Sequence, residues 1–287
     1  MTARILDGNW ASEQVKEGLR DRIRVLGTHG ITVGLATVLV GDDAPSARYV
    51  AMKHADCEEL GITSYDHRLD AGVTMEELLA KIDELNGDHR VHSYLIQLPL
   101  PSHLDQEAVL AAVAPVKDVD GLHPVNLGLL ALGEPRVIAC TPAGIVELLR
   151  LHGLDLTGKH VVIVGRGITI GRPLALLLTL NRPGLNAAVT VVHSRVASLA
   201  SYTQGADVII AAAGSPGIIT TEMVRPGTVV VGAGTTFEGR KLLSDVDAKV
   251  AEVAGWMTPR LGGVGPMTRA MLLANAVSAA EATLGQG

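Results

Sequence analysis

Apolar and polar positions follow two rhythms along this chain. Short runs rich in Val, Ile and Leu occur at residues 33–40, 94–98, 159–164, 189–192, 207–212 and 228–231. Bounded by Gly, Pro or Asp, they predict strands buried on both faces of a parallel sheet. A further extended stretch is predicted at 62–69. Between these runs apolar residues recur every three or four positions, the period of a helix with one buried face. Such segments lie at 11–26, 46–60, 107–113, 171–180 and 267–284. Local punctuation sharpens the helix assignments. Asp42-Asp43-Ala44-Pro45 opens the 46–60 helix and Gly61 closes it. Thr74-Met75-Glu76-Glu77 forms a capping box for a helix ending near Asn86-Gly87. Thr141 is placed to cap another, with Pro142 at its first position and Gly153 beyond its end.

Strand and helix alternate in both halves, which implies an α/β fold with parallel sheets and right-handed crossovers. The alternation restarts after a polar loop at 115–121. Two α/β domains are therefore expected. Residues 1–139 form the first, with the closing helix at 267–287 packing back on it, and residues 140–266 form a Rossmann-like second. A cleft between them is the expected place for an active site. Composition agrees: 47% of the 287 residues are hydrophobic and 19% charged, which excludes global disorder. With only 2% aromatics, the core must be built of Ala, Val, Leu and Ile.

A net charge of −6 argues against a nucleic-acid or anionic-membrane partner. Cys57 and Cys140 form no C-x-x-C or zinc spacing, so reduced thiols of a cytoplasmic protein are the simplest account, and no metal site is expected. The opening Met1-Thr2-Ala3-Arg4 lacks the layout of a signal peptide, and no apolar run is long enough to span a bilayer.

Candidate chemistry concentrates at two places. Tyr49, Lys53 and Cys57 are spaced i, i+4, i+8 and share one stripe of the 46–60 helix, beside Val50, Met52 and Leu60. A lysine on such a border is a candidate proton-transfer group, because desolvation disfavours its charged form. A lysine snorkelling beside a core tyrosine has the same spacing, and taken alone is the commoner outcome. The second place is Gly165-x-Gly167-x-x-x-Gly171, after an apolar strand and before a helix. It is a dinucleotide fingerprint one residue longer than the standard form. Gly165, Arg166, Gly167, Ile168 and Gly171 would meet the pyrophosphate at a positive helix N-terminus. The next strand ends in His193-Ser194-Arg195, with no acid for a ribose hydroxyl. Ser194, Arg195 and Arg166 suit a 2′-phosphate, so NADP is expected over NAD.

Three further stretches join these: Ile96-Gln97-Leu98-Pro99-Leu100-Pro101, Lys117-Asp118-Val119-Asp120-Gly121, and Leu261-Gly262-Gly263-Val264-Gly265-Pro266-Met267-Thr268. In this order, and from Ile5-Leu6-Asp7-Gly8 to the final helix, the chain resembles the bifunctional methylenetetrahydrofolate dehydrogenase/cyclohydrolase family. The resemblance implies NADP-dependent oxidation of 5,10-methylenetetrahydrofolate to 5,10-methenyltetrahydrofolate, followed by hydrolysis to 10-formyltetrahydrofolate. It also implies a cytoplasmic homodimer serving one-carbon metabolism and purine biosynthesis, with small-molecule substrates. Lys53 matches the family's proton-transfer residue and Gln97 the partner that orients it. Asp120 matches the carboxylate that grips the pterin N–H donors, and Tyr49 the ring packed on the folate. Ile96, Leu98, Gly262, Gly265 and Pro266 would complete the folate surface, and Thr235 the cofactor side.

The chain departs from the family pattern on the cofactor and closing-turn side. Gly167 stands where serine is usual, Gly232-Ala233-Gly234-Thr235 where Asp-Val-Gly-Ile is usual, and Arg260-Leu261 where Val-Pro is usual. Two other readings follow. One is a non-catalytic or monofunctional folate-binding paralogue with impaired cofactor use. The other is a dehydrogenase of the same architecture with a different substrate.

Overall fold

The computed structural model describes residues 2–239 and 241–284. In chain order its elements are β1 (Arg4–Ile5), α1 (Gly8–Thr28), β2 (Gly34–Val40), α2 (Ala44–Leu60), β3 (Thr63–Leu69), α3 (Met75–Gly87) and β4 (Ser93–Ile96). Then come α4 (Gln106–Ala112), α5 (Pro124–Ala131), α6 (Cys140–Leu151), β5 (His160–Val164), α7 (Gly171–Leu178), β6 (Ala188–Val192) and α8 (Ala200–Thr203). The chain continues through β7 (Val208–Ala211), β8 (Val229–Gly232), β9 (Thr235–Glu238), β10 (Lys241–Ser244) and β11 (Trp256–Met257) to α9 (Val264–Glu281). Among the described residues, no helix is long and apolar enough to cross a membrane.

Two compact units result. One holds the residues up to Glu13 together with Thr141–Thr268; the other holds Gln14–Cys140 and the residues from Arg269 onward. The second unit is built on a three-stranded parallel sheet of order β3-β2-β4. Its middle strand, Gly34-Leu-Ala-Thr-Val-Leu-Val40, is buried at every position, as a strand covered on both faces must be. Alternate residues of that strand feed two cores. Leu35 joins Leu19, Leu26, Leu60, Leu95, Leu272, Leu273 and Val277, so the closing helix packs on the first helix and on the sheet. Val38 joins Leu78, Ile82, Leu85, Tyr94 and Val109 on the other face. Each leucine wholly withdrawn from water contributes about 1.5–3 kcal/mol. At the rim, Arg22 grips Glu281 through two hydrogen bonds of 2.8 and 2.6 Å.

The first unit carries a six-stranded, all-parallel sheet of order β1-β11-β8-β7-β5-β6. Val162, Val164, Ile209, Ala211 and Val230 form its centre. An antiparallel hairpin, β9–β10, follows β8.

The architecture differs from the sequence expectation in instructive ways. The first thirteen residues compact with the six-stranded unit, because Arg4 and Ile5 pair with Trp256 and Met257 as its edge strand. A two-residue strand leaves no periodicity to read. Helix α6 begins at Cys140, so Thr141 lies inside its first turn, and its hydroxyl meets that of Thr268 at 3.0 Å. Helix α5, absent from the expectation, starts on Pro124 and is capped by the His123 ring, which accepts from Val125 N–H.

Candidate active site and cofactor surface

The lysine site is built on α2 of the three-stranded unit. Asp43 caps this helix, accepting from Ser46 N–H at 2.9 Å and from its hydroxyl at 2.6 Å. Gly61 closes it in the left-handed region at φ 70°, with N–H groups of Gly61 and Ile62 returning to the last carbonyls. Both ends are thereby fixed where the sequence placed them. On the shared stripe, Lys53 is 7% exposed, Cys57 is wholly buried and Tyr49 is half-buried.

Lys53 Nζ donates to Gln97 Oε1 at 3.0 Å. Gln97 follows the last residue of β4; its backbone N–H bonds Val38 O and its side-chain Nε2 donates to Leu98 O at 2.8 Å. That second bond fixes the amide so that its oxygen faces the lysine. No carboxylate lies within ion-pair distance of Lys53 among the described residues. An ammonium has three donors, and only one is used here. Tyr49 sits one turn before Lys53, and its hydroxyl has no hydrogen-bond partner among the described residues.

The two acids of the 117–121 loop have separate roles. Asp118 is a structural hub: its carboxylate accepts from the N–H groups of Gly121, Leu122 and His123 and from Asn126 Nδ2 at 2.8–3.3 Å. Asp120 receives no side-chain or backbone hydrogen bond on its carboxylate among the described residues. Its direction is fixed from either side. Asn275 Nδ2 holds the carbonyls of Val119 and Ile138, Cys140 N–H bonds Asp120 O, and Gly121 turns at φ 70° where a Cβ would strike Ala139 N at 2.5 Å. Burial pushes the Asp120 carboxyl above its ordinary range; the charge of Lys53 opposes this and that of Asp118 adds to it. When ionised, this carboxylate is an acceptor only and has open capacity for N–H donors.

The remaining expected folate residues separate between the units. Ile96 and Leu98 flank Gln97 beside the lysine, Ile96 buried and Leu98 half-buried. Gly262, Gly265 and Pro266 belong to the six-stranded unit. There the glycine turn packs on the N-terminal segment: Gly8 N–H bonds Gly262 O at 2.8 Å, and a Cβ on Gly8 would lie 1.7 Å from Gly263 O. In the turn itself Gly262 adopts φ 77°, and a Cβ on Gly263 would lie 2.7 Å from Pro259 O.

The fingerprint turn follows β5. Gly165 adopts φ 134°, and a Cβ on it would lie 2.1 Å from Ala212 O, while one on Gly171 would lie 2.2 Å from Gly165 O. These two glycines are sterically required. Gly167 is exposed and has open space around it. Helix α7 opens at Ile170 with no side chain capping its first N–H groups. Ser194 and Arg195 follow β6, whose Val192 O accepts from Gly165 N–H, so they lie beside the same turn. Arg166 and Arg195 are exposed, with no ion-paired carboxylate among the described residues, and Ile168 is 36% exposed. Two exposed guanidinium groups beside the glycine turn fit a phosphorylated dinucleotide; at the helix start Arg172 N–H is already bonded to Gly167 O and Pro173 has no N–H. Thr235 is exposed at the start of β9, past Gly232, where a Cβ would come 2.9 Å from Ser244 Oγ.

Residues 6–120 match the model of the tetrahydrofolate dehydrogenase/cyclohydrolase catalytic domain, and residues 139–284 match that family's NAD(P)-binding domain. The chain belongs to this family. It is 52% identical to the Bifunctional protein FolD of Syntrophotalea carbinolica over 98% of this chain and 97% of that one. The bifunctional FolD enzyme of Campylobacter jejuni superposes with a TM-score of 0.94 at 42% identity, covering 98% of this chain and 99% of the other. A Trypanosoma brucei methylenetetrahydrofolate dehydrogenase-cyclohydrolase, solved with NADP and an inhibitor, superposes at 0.93 with 34% identity and 99% coverage of each.

Lys53 and Gln97 are bonded to each other, and the Asp120 carboxylate accepts no hydrogen bond among the described residues. Sequence reasoning passed over the residues that hold them. Asp118, Asn126 and Asn275 were legible only as polar residues, and Asp245, whose carboxylate accepts three backbone N–H groups, carried no motif of its own.

Proposed function

We infer that this chain oxidises 5,10-methylenetetrahydrofolate with NADP and hydrolyses the resulting methenyl cation to 10-formyltetrahydrofolate. NADP supplies the oxidant; the protein's own task in that step is to hold the two rings. Arg166, Ser194 and Arg195 receive the cofactor's phosphates with the Gly165–Gly171 turn, and Asp120 accepts the pterin N–H donors. In the second step water adds to the methenyl carbon and releases a proton, and Lys53 is the side chain placed to handle it. The carbinol so formed then loses its hydroxyl proton to become the formyl C=O as the carbon–N5 bond breaks and N5 takes a proton. One proton is released overall, and the 10-formyl product departs. Gln97 holds the lysine nitrogen on line, and Tyr49 covers the ring.

The observation that supports this most is the environment of Lys53: buried, directed by one neutral amide, and without a carboxylate partner. Conversion of Lys53 to Met should slow loss of methenyl absorbance by about 100- to 10,000-fold, with the melting temperature and NADP binding retained. Full hydrolytic activity in Lys53→Met would remove the lysine from the mechanism. NADP reduction with methylenetetrahydrofolate, run in parallel with NAD, tests the first step and the cofactor choice. The family resemblance also supports a cytoplasmic homodimer that supplies one-carbon units to purine biosynthesis. Light scattering on the purified chain decides the oligomeric state.

A further inference from the structure

We propose that Asp245 is a positioning residue for the oxidation step, fixing the Ala213-Gly214-Ser215 wall of the dinucleotide crevice. The inference rests on the cofactor surface assigned above and goes beyond it by naming what sets its second wall. In the six-stranded sheet the chain passes from β5 to β6 and then returns past β5 to β7. Ligands of doubly wound sheets bind beyond the carboxyl ends of the strands at such a reversal. The crevice there has two walls: the Gly165–Gly171 turn after β5, and the loop after β7. They touch, since Ala212 N–H bonds Val164 O at 2.7 Å and Ala212 O blocks any Cβ on Gly165.

The second wall has no regular structure of its own. Its shape comes from one carboxylate reaching in from beyond the β9–β10 hairpin. Asp245 Oδ2 accepts from Ala213 N–H at 2.7 Å and Gly214 N–H at 2.9 Å, and Oδ1 accepts from Ser215 N–H at 2.8 Å. Asp245 is fully buried, and its own backbone is tied to both sides, through Gly234 O at 3.3 Å and Ile219 N–H at 3.0 Å. Gly234 leaves it room: a Cβ there would sit 2.0 Å from Oδ2. Thr236 Oγ1 adds a bond to Gly214 O at 3.1 Å. Three consecutive N–H groups turned inward onto one anion also dictate which way the loop's outer surface faces.

Asp245→Asn keeps the shape but opposes an amide donor to at least one of those N–H groups. The KM for NADP should rise about tenfold with kcat little changed, the mark of lost binding rather than lost chemistry. Cyclohydrolase activity measured without NADP should stay at the wild-type rate, which reports that the chain is folded. Gly234→Ala is the second variant: it keeps the carboxylate but displaces it, and should raise the same KM. Asp247→Asn, which neutralises a carboxylate that accepts only from Lys249 N–H, should leave that KM unchanged. An unaltered KM for NADP in Asp245→Asn or Gly234→Ala overturns the proposal. So does a parallel fall of both activities in both variants, which would make the carboxylate merely structural. Failure of the wild-type chain to bind NADP in direct titration would instead overturn the cofactor assignment, and this inference with it.

Discussion

Two lysines are buried in the three-stranded unit to nearly the same degree, Lys16 at 6% exposure and Lys53 at 7%, yet their surroundings are opposite. Lys16 lies among acids: Asp56 at 3.0 Å and Glu59 at 2.6 Å, with Arg269 on the far side of Asp56 and Arg20 on Glu59. Burial alone would lower its pKa, but the hydrogen bonds and charges of Glu59 and Asp56 outweigh that and raise it. Lys53 has one neutral amide. Asp120, whose carboxyl feels the charge of Lys53, accepts no hydrogen bond among the described residues and is shifted upward by burial. Buried charge is costly unless paired. The first cluster meets that cost within the chain and joins α1, α2 and α9. The second has no carboxylate hydrogen-bonded to the lysine among the described residues, and the proposed folate site is the ligand surface that would complete it. Burial alone therefore does not distinguish the two lysines; the presence of a hydrogen-bonded carboxylate partner does.

The largest effect should come from breaking the satisfied cluster. Asp56→Ala removes the carboxylate that Arg269 and Lys16 share, leaving Lys16 on Glu59 alone and Arg269 without that partner. Removing one member of a buried ion pair costs about 3–5 kcal/mol. Urea denaturation should show a loss of that size, with both activities falling together as the folded fraction falls. Retained stability in Asp56→Ala would mean that the comparison overstates the pairing of Lys16.

The two acids of the 117–121 loop sharpen the same contrast in a milder form. Asp118→Ala orphans three backbone N–H groups and removes one of the two bonds of the Asn126 amide, and should destabilise by about 3 kcal/mol in the same assay. Asp120→Asn should do the reverse. Because its folded-state carboxyl is shifted above the unfolded value, ionised Asp120 subtracts from stability at neutral pH. That penalty fades as pH falls through the folded-state value and is gone below the unfolded one, near 3.9. The variant should thus be more stable than wild type at pH 7, with the difference closing towards pH 4. Folate binding should be lost at both ends. A wild-type chain more stable than Asp120→Asn at pH 7 would show the carboxylate to be internally satisfied.

What could be read from the sequence followed from signals that are local. The α2 boundaries rest on Asp43, Pro45 and Gly61, the α3 boundary on the Thr74–Glu77 box, and the fingerprint on glycines that steric contact requires. The stripe of Tyr49 and Lys53 needed only helical geometry. The supporting shell was not legible, because its partners are far apart in the chain: Asp56 with Arg269, Val119 with Asn275, and Ser215 with Asp245. Edge strand β1 escaped for the same reason, since two residues acquire meaning only against Trp256 and Met257. Asp118 and Asp120, two residues apart in one polar loop, look alike until their hydrogen bonds are seen.

The smallest effect concerns the third member of the stripe. Cys57 lies one turn beyond Lys53 but inside the core with Leu19, Leu60 and Leu272. Burial, with a contribution from Asp56, pushes its thiol up to about 12 despite the opposing charge of Lys53. It is a small apolar side chain there, without thiolate chemistry at neutral pH. Cys57→Ala should cost on the order of 1 kcal/mol from lost burial and leave both rates unchanged. In the native wild-type chain the thiol should resist alkylation until denaturant is added. Rapid native labelling, or a rate change in Cys57→Ala, would place Cys57 on the ligand side with Tyr49 and Lys53. The division between paired interior and unpaired site would then have to be redrawn one helical turn further along α2.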